Sequence, residues 1–232
     1  MRELRRHRYG YSKLHVLTTN STLYGPRQSR FARYLERREH RKPDLVAREL
    51  HRRLRAGLRG RVIEPGCGDG RVFDLYPPEV VHVLAVEPDP TARAAAAERA
   101  RSAAVEIEVV EGVAEALPAD DGAFDAAVVT GVLCTVPDPS GSLRELRRVL
   151  TPDGELRFWE HVRSENAAFS ALQRAVDRLF WTHALGGCET TRDTAGAIRE
   201  AGFRIARLER GFHSSSLLTI TSAPYVLGIA RR

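Results

Sequence analysis

From Arg61 to Glu160, short apolar runs alternate with helical stretches, and this alternation constrains the fold more than any other feature of the chain. Arg61 to Glu64, Val80 to Val86, Val105 to Val110, Ala123 to Thr130 and Glu155 to Glu160 read as strands bounded by turn residues. The stretch from Gly70 through Tyr76 reads as a helix stopped by Pro77-Pro78. Thr91 to Ala103 and Ser142 to Leu150 read as two more, and Thr151-Pro152-Asp153-Gly154 as a turn. Helices between strands serve as crossovers, which makes successive strands parallel. Beyond Glu160 the order changes. Asn166 to His183 reads as a long amphipathic helix with Phe169, Leu172, Val176, Leu179 and Phe180 at helical spacing, ended by Gly186-Gly187. Asp193 to Ala201 is a short helix closed by Gly202. Phe203 to Arg210 and Tyr225 to Ala230 lie close in sequence and read as an antiparallel pair. The expected fold is α/β: a seven-stranded sheet, mostly parallel with an antiparallel last strand, and helices on both faces.

The 232 residues suit one such domain, placed at residues 57–232, behind an N-terminal helical arm or lid at 1–56. Residues 1–25 show little periodicity. Pro26 to Arg41 reads as a helix with Phe31, Leu35 and Tyr34 on one face, interrupted by Pro43. Asp44 caps a second helix whose Leu45, Leu50, Leu54 and Leu58 are expected to face the core, with Gly57 and Gly60 ending it. Residues 1–61 hold 18 Lys and Arg against 5 Asp and Glu, a net +13, whereas the whole chain is +6. No nucleic-acid recognition motif accompanies that charge. Glu36 and Glu39 interleave it, so a solvated helix face is preferred to nucleic-acid binding. No apolar run approaches the length of a membrane span and no signal-like stretch opens the chain, so a cytoplasmic protein is expected. Cys67, Cys134 and Cys188 are far apart and form no Cys-x-x-Cys pair. The sequence therefore supports neither a metal site nor a disulfide framework.

In an open parallel sheet the ligand sits beyond the carboxyl ends of the strands, where the strand order reverses. Glu64-Pro65-Gly66-Cys67-Gly68-Asp69-Gly70 follows the first strand. Gly66, Gly68 and Gly70 permit a tight turn and a close ligand. Arg71 stands where a dinucleotide-binding G-x-G-x-x-G would need its last glycine. The spacing is instead acidic-x-G-x-G-x-G. The acid at its head, Glu64, repels a pyrophosphate and attracts an ammonium, which S-adenosylmethionine carries beside its sulfonium. Cys67 falls within the same turn. Glu87 ends the second strand, 17 residues after Gly70, where a carboxylate can accept from both ribose hydroxyls, and Pro88 shapes the turn behind it. Gly112 to Pro118 follows the third strand, where an adenine would lie. Val113 stands where many adenosine sites have Asp, so the contact falls to Ala114, to Glu115, or to Val113 packing on the ring. After the fourth strand, Thr130 and Gly131 would hold the methionine end of the cofactor, or of its product S-adenosylhomocysteine. Leu133 and Cys134 would look towards the acceptor.

These segments, in this order, resemble the type-11 class I methyltransferases, with their Rossmann-like sheet. The stretches Val132 to Pro139, Leu143 to Leu150, Phe158-Trp159-Glu160-His161-Val162, Gly186-Gly187-Cys188, Thr191-Arg192-Asp193-Thr194 and Val226 to Ala230 are similar to the methyltransferase-like 7 group. The resemblance spans roughly residues 57–230 and implies methyl transfer from S-adenosylmethionine to a small molecule. Because mammalian members of that group methylate thiols, a thiol is the leading acceptor. An oxygen or nitrogen acceptor is the alternative, and a binding module that kept the fold but lost transfer is the rival of another class. Residues 1–56 do not match the membrane-anchoring N-terminus of those mammalian proteins.

Methyl transfer is an in-line displacement, so the protein must mainly align donor and acceptor and exclude water. His161, at the end of the fifth strand, is the candidate base. Trp159 and Trp181 either line an apolar acceptor pocket or pack the core. Arg192 either meets the substrate or pairs with Asp193 at a helix start. Tyr9, Tyr11 and His15 would close over the site from the arm. Monomer and homodimer both stay open.

Overall fold

The computed structural model describes residues 44–178, 188–214 and 217–232. Its seven strands are β1 (Gly60–Pro65), β2 (Val80–Val86), β3 (Ile107–Val110), β4 (Phe124–Thr130), β5 (Leu150–His161), β6 (Arg204–Phe212) and β7 (Pro224–Arg231). They form one sheet in the order β3-β2-β1-β4-β5-β7-β6. The β1, β2, β3, β4 and β5 pairings are all parallel. β7 runs antiparallel to both β5 and β6 and lies between them, leaving β6 at the edge. The order reverses between β1 and β4. A cleft therefore opens at their carboxyl ends, because the crossovers from the two strands leave in opposite directions.

Five described helices accompany the sheet: α1 (Leu45–Arg55), α2 (Pro90–Ala100), α3 (Pro139–Val149), α4 (Ala167–Val176) and α5 (Thr194–Glu200). Leu50 and Leu54 of α1 and Ala96 of α2 pack with β1 and β2 in one apolar cluster. Leu143 and Leu146 of α3 and Ile198 of α5 pack with β4 and β5 in the other. Helices therefore cover both faces. α1 lies before the boundary expected at residue 57, yet it belongs to the body of the sheet. Arg157 of β5 donates to the carbonyls of Leu54 and Ala56 at 3.1 and 2.6 Å, satisfying acceptors that a helix end leaves open.

Four expectations change. Leu45 is 73% exposed, because at 100° per residue it stands about 140° round the helix from Leu50. The stretch after Gly70 forms only a 3-10 turn at Phe73–Leu75. Pro77 disfavours helical geometry at Tyr76, and Gly70 has φ of +73°, so too few residues remain for an α-helix. The Thr151–Gly154 turn lies within β5 as a bulge, since Phe124 pairs with Leu150 and Ala126 with Glu155. The buried residues of α4 are Ser170 and Gln173, followed by Asp177 just past its end, while Leu172 is 48% exposed. Loop hydrogen bonds explain this inversion. Gln173 Nε2 donates to the carbonyls of Val162, Thr190 and Thr221 at 3.1, 3.2 and 2.9 Å, and Oε1 accepts from Ser164 N–H at 2.8 Å. Asp177 accepts from the hydroxyls of Thr190 and Thr191 at 3.0 and 3.1 Å. Leu179, Phe180, Gly186 and Gly187 lie outside the described residues, as do residues 1–43 with the helix expected at Pro26 to Arg41.

A buried ion pair joins α1 to the sheet. Arg55 and Glu64 are salt-bridged with side chains 0% and 4% exposed. Tyr76 donates its hydroxyl to the other oxygen of Glu64 at 2.6 Å. Removing one partner of a buried pair leaves a charge without compensation, at a cost of about 3–5 kcal/mol. Arg55→Met is expected to lower the stability read from denaturant unfolding by about that amount. Arg55→Met with Glu64→Gln should recover much of the loss, because no bare carboxylate remains. Equal losses in the single and double variants would show that packing, not charge, carries the effect.

Candidate cofactor and acceptor site

The carboxyl ends of β1, β2, β4 and β5 bring the expected segments together. The turn after β1 is held by Gly66 N–H donating to Val86 O at 2.7 Å and Gly70 N–H to Cys67 O at 3.2 Å. Gly66, Gly68 and Gly70 have φ of +68°, +60° and +73°, in the left-handed region that a side chain disfavours. A Cβ on Gly66 would sit 2.6 Å from Val132 Cγ2, so this glycine lets β1 and the loop after β4 approach each other. A Cβ on Gly68 or on Gly131, whose φ is +63°, would meet nothing within 4 Å. The backbone at these two positions therefore faces open space.

Glu87 stands at the centre. Its Oε2 accepts from Gly68 N–H and its Oε1 from Asp89 N–H, both at 2.9 Å. It is 4% exposed. Burial, the largest influence, raises its pKa to about 7 against the two backbone donors. Asp89 caps α2 by accepting from Thr91 and Ala92 N–H. Arg93 donates to the carbonyls of Glu87 and Pro88 at 2.9 and 3.0 Å, holding the Pro88 turn. On the β3 side, Val113 is half-buried and bridged to Ala116, Ala114 is buried, and Glu115 accepts from Asp138 N–H at 3.4 Å. Across the cleft, Thr130 Oγ1 is buried with no hydrogen-bond partner among the described residues.

Glu64 is placed otherwise than expected for an ammonium ligand. Both of its oxygens are engaged, by Arg55 and Tyr76, beneath the turn. Cys67 is buried, and burial pushes its thiol well above the ordinary range, with Glu64 and Glu87 adding to the shift.

The loop after β4 is braced from β5. Glu160 accepts from the N–H groups of Val132 and Cys134 at 3.0 Å each. Burial raises its pKa against those donors. Thr135 donates its hydroxyl to Gly131 O at 2.9 Å. Arg192 is engaged with the loop after β4: its Nη1 donates to the carbonyls of Leu133 and Val136 at 2.7 Å each, and its Nε to Glu189 at 3.1 Å. Trp159 packs edge-on to His51 and Tyr225, with centroids 4.9 and 6.1 Å away. It thus joins the packing of α1 on the sheet. Tyr9, Tyr11, His15 and Trp181 lie outside the described residues.

The sequence reading provides for no metal, yet Cys134, His161 and Cys188 converge. Their ligand atoms lie within 4.8 Å of one another. No local spacing signals this, because the three residues stand 27 positions apart in turn. Cys188 and Glu160 are the site residues that sequence reasoning passed over.

An adenosyl sulfonium ligand fits the residues present. Gly68 and Gly131 face open space, Glu87 offers a carboxylate at the end of β2, and Thr130 Oγ1 has no partner among the described residues. Comparison with known proteins agrees. Residues 63–158 match the family model described as a methyltransferase domain. Human thiol S-methyltransferase TMT1B is 32% identical over 200 residues, covering 83% of this chain and 81% of that protein. Human thiol S-methyltransferase TMT1A is 34% identical over 170 residues, covering 70% and 69%. The crystal structure of a SAM-dependent methyltransferase from Thermotoga maritima shares the fold with a TM-score of 0.63 at 24% identity, covering 88% of this chain and 99% of that one. The chain belongs to the SAM-dependent methyltransferase family that contains the TMT1 thiol S-methyltransferases.

Proposed function

We propose that this chain methylates the sulfur of a small-molecule thiol. The observation that carries the reading is Glu87, a buried carboxylate at the end of β2 bonded to the Gly68 amide at the strand-order reversal. The relatives named thiol S-methyltransferases support the choice of acceptor. When bound, S-adenosylmethionine supplies a methyl group already activated by its sulfonium. Glu87 would accept from the ribose hydroxyls, Gly68 and Gly131 would admit the ligand against bare backbone, and Thr130 Oγ1 would bond the methionine end. Val113, Ala114 and Glu115 would border the adenine. The loop from Val132 to Thr135, braced by Glu160 and Arg192, forms the wall facing the acceptor. A rigid wall limits the acceptor to near-attack orientations, which is most of what such a transfer needs. His161 Nδ1 lies 3.7 and 3.5 Å from the sulfurs of Cys134 and Cys188, so this nitrogen is turned towards thiols of the chain itself. A reducing, cytoplasmic setting suits a thiol acceptor and the free Cys67, Cys134 and Cys188.

Titration calorimetry is expected to show S-adenosylmethionine and S-adenosylhomocysteine binding to the wild type. Glu87→Ala should weaken both at least about tenfold, the loss of one charge-assisted hydrogen bond of about 1.5–3 kcal/mol. In a transfer screen, thiols should be methylated in preference to phenols and amines. Transfer to phenols or amines alone would overturn the acceptor assignment.

The pKa of Glu87 sets a second test. Its folded value of about 7 lies above the ordinary carboxylate value, so the ligand-free fold holds an extra proton between about pH 4.5 and 7. The stability owed to that proton is lost as pH rises through 7. Ribose binding favours the carboxylate, so affinity should rise with pH up to about 7 and level off above it. Glu87→Gln should flatten this rise, and an unchanged slope in that variant would assign the pH dependence to another group.

A further inference from the structure

The geometry points to a metal site built from Cys134, His161 and Cys188, whose open coordination position takes the acceptor thiol as a thiolate. This inference rests on the thiol reading above and specifies how the thiol is activated. Cys134 Sγ and Cys188 Sγ are 3.4 Å apart, and His161 Nδ1 is 3.7 Å from the first sulfur and 3.5 Å from the second. A tetrahedral Zn²⁺ with bonds of about 2.3 Å to sulfur and about 2.0–2.1 Å to nitrogen would hold its sulfurs about 3.8 Å apart and each sulfur about 3.6 Å from the nitrogen. The three atoms thus already occupy one face of such a tetrahedron, to within a few tenths of an ångström. Among the described residues no fourth His, Cys, Asp or Glu joins the group. Three protein ligands with one position left over is the pattern of catalytic rather than structural zinc, and a ligand set of two sulfurs and one nitrogen suits Zn²⁺.

The backbone that carries the ligands is braced as a metal centre requires. Cys134 is anchored by its N–H to Glu160 and by its carbonyl to Glu189 N–H at 2.7 Å, which ties it to the neighbour of Cys188. His161 pairs with Tyr225 in the β5–β7 ladder. Arg192 holds the carbonyls on either side of Cys134. A redox disulfide is the competing use of two close sulfurs. It would bring them to about 2.05 Å and away from their present spacing about the imidazole.

The chemistry balances without another reactant. The acceptor S–H proton passes to bulk water, and the resulting thiolate donates a lone pair to the metal. In the transfer the acceptor sulfur forms its new C–S bond as the donor's C–S⁺ bond breaks, both electrons of that bond staying on the donor sulfur. The neutral thioether is a weak ligand and leaves.

The test uses the full chain, with Zn²⁺ and Co²⁺ as probes. Purified protein is expected to hold close to one Zn²⁺ per chain by elemental mass spectrometry. Co²⁺ added after chelation should give a sulfur-to-cobalt charge-transfer band. Cys188→Ser, at a half-buried position, and His161→Ala should each weaken or shift that band while S-adenosylhomocysteine binding stays within about twofold, which reports an intact fold. A small thiol such as dithiothreitol should shift the cobalt spectrum, and a phenol should not. Chelation should lower thiol methylation at least tenfold, with recovery on adding Zn²⁺. No metal uptake, a band unchanged in the variants, a spectrum that thiols do not move, or thiol methylation that survives metal removal would each overturn the inference. The last of these would leave the thiol reading standing. A metal-binding chain that methylates only phenols or amines would sink the thiol reading instead.

Discussion

The carboxyl edge of a parallel sheet ends in loops whose N–H groups no strand pairs. Once buried, those groups need other acceptors. In this chain, buried carboxylates at strand ends supply them. Glu87, beyond β2, takes the amides of Gly68 and Asp89. Glu160, near the end of β5, takes the amides of Val132 and Cys134. Glu64, in β1, is held in turn by Arg55 and Tyr76. Each acid ties its strand to an element outside it, so the loops of the cleft are set by hydrogen bonds before any ligand arrives. Burial raises the pKa of Glu87 and Glu160. The paired amide donors work in the opposite direction, which is how such acids are tolerated in the interior.

What was legible in the sequence follows from how local each signal is. Val80 to Val86 is apolar and buried at five of its seven positions, so the run alone marks β2 from end to end and places Glu87 at its tip. The glycine turn was legible because φ values of +60° to +73° demand glycine at particular positions. The inward face of α4 was not. Apolar periodicity pointed to Leu172, but the carbonyls of Val162, Thr190 and Thr221 needed a donor, and Gln173 turned inward to provide it. Those carbonyls come from segments far apart in the chain, so no window of sequence contains both the need and its answer.

The same limit hid the role of Arg192. A basic residue beside Asp193 reads equally well as a substrate contact or a helix-start partner, and neither reading includes the carbonyls of Leu133 and Val136 that it serves across 59 and 56 residues. Glu64 shows the converse. Its position at the head of the glycine turn was plain, but its engagement depends on Arg55, nine residues earlier on a helix whose docking the sequence does not reveal. The sulfur and imidazole of Cys134, His161 and Cys188 meet for the same reason: β4 and β5 are neighbours, and the segment before α5 folds back on both.

One short segment links the two halves of the site. Thr130 ends β4, the backbone at Gly131 faces open space, and three residues later Cys134 Sγ lies 3.7 Å from His161 Nδ1. Between them the chain is clamped by Glu160 from β5, by Arg192 from the start of α5 and by Thr135 back onto Gly131. A displacement reaction is sensitive to the distance and angle between donor and acceptor at the level of an ångström. In the proposed arrangement both walls stand on the same five braced residues, so that distance would be set by one loop rather than by two. In that arrangement the buried carboxylate of Glu160 would influence the reaction without touching either reactant.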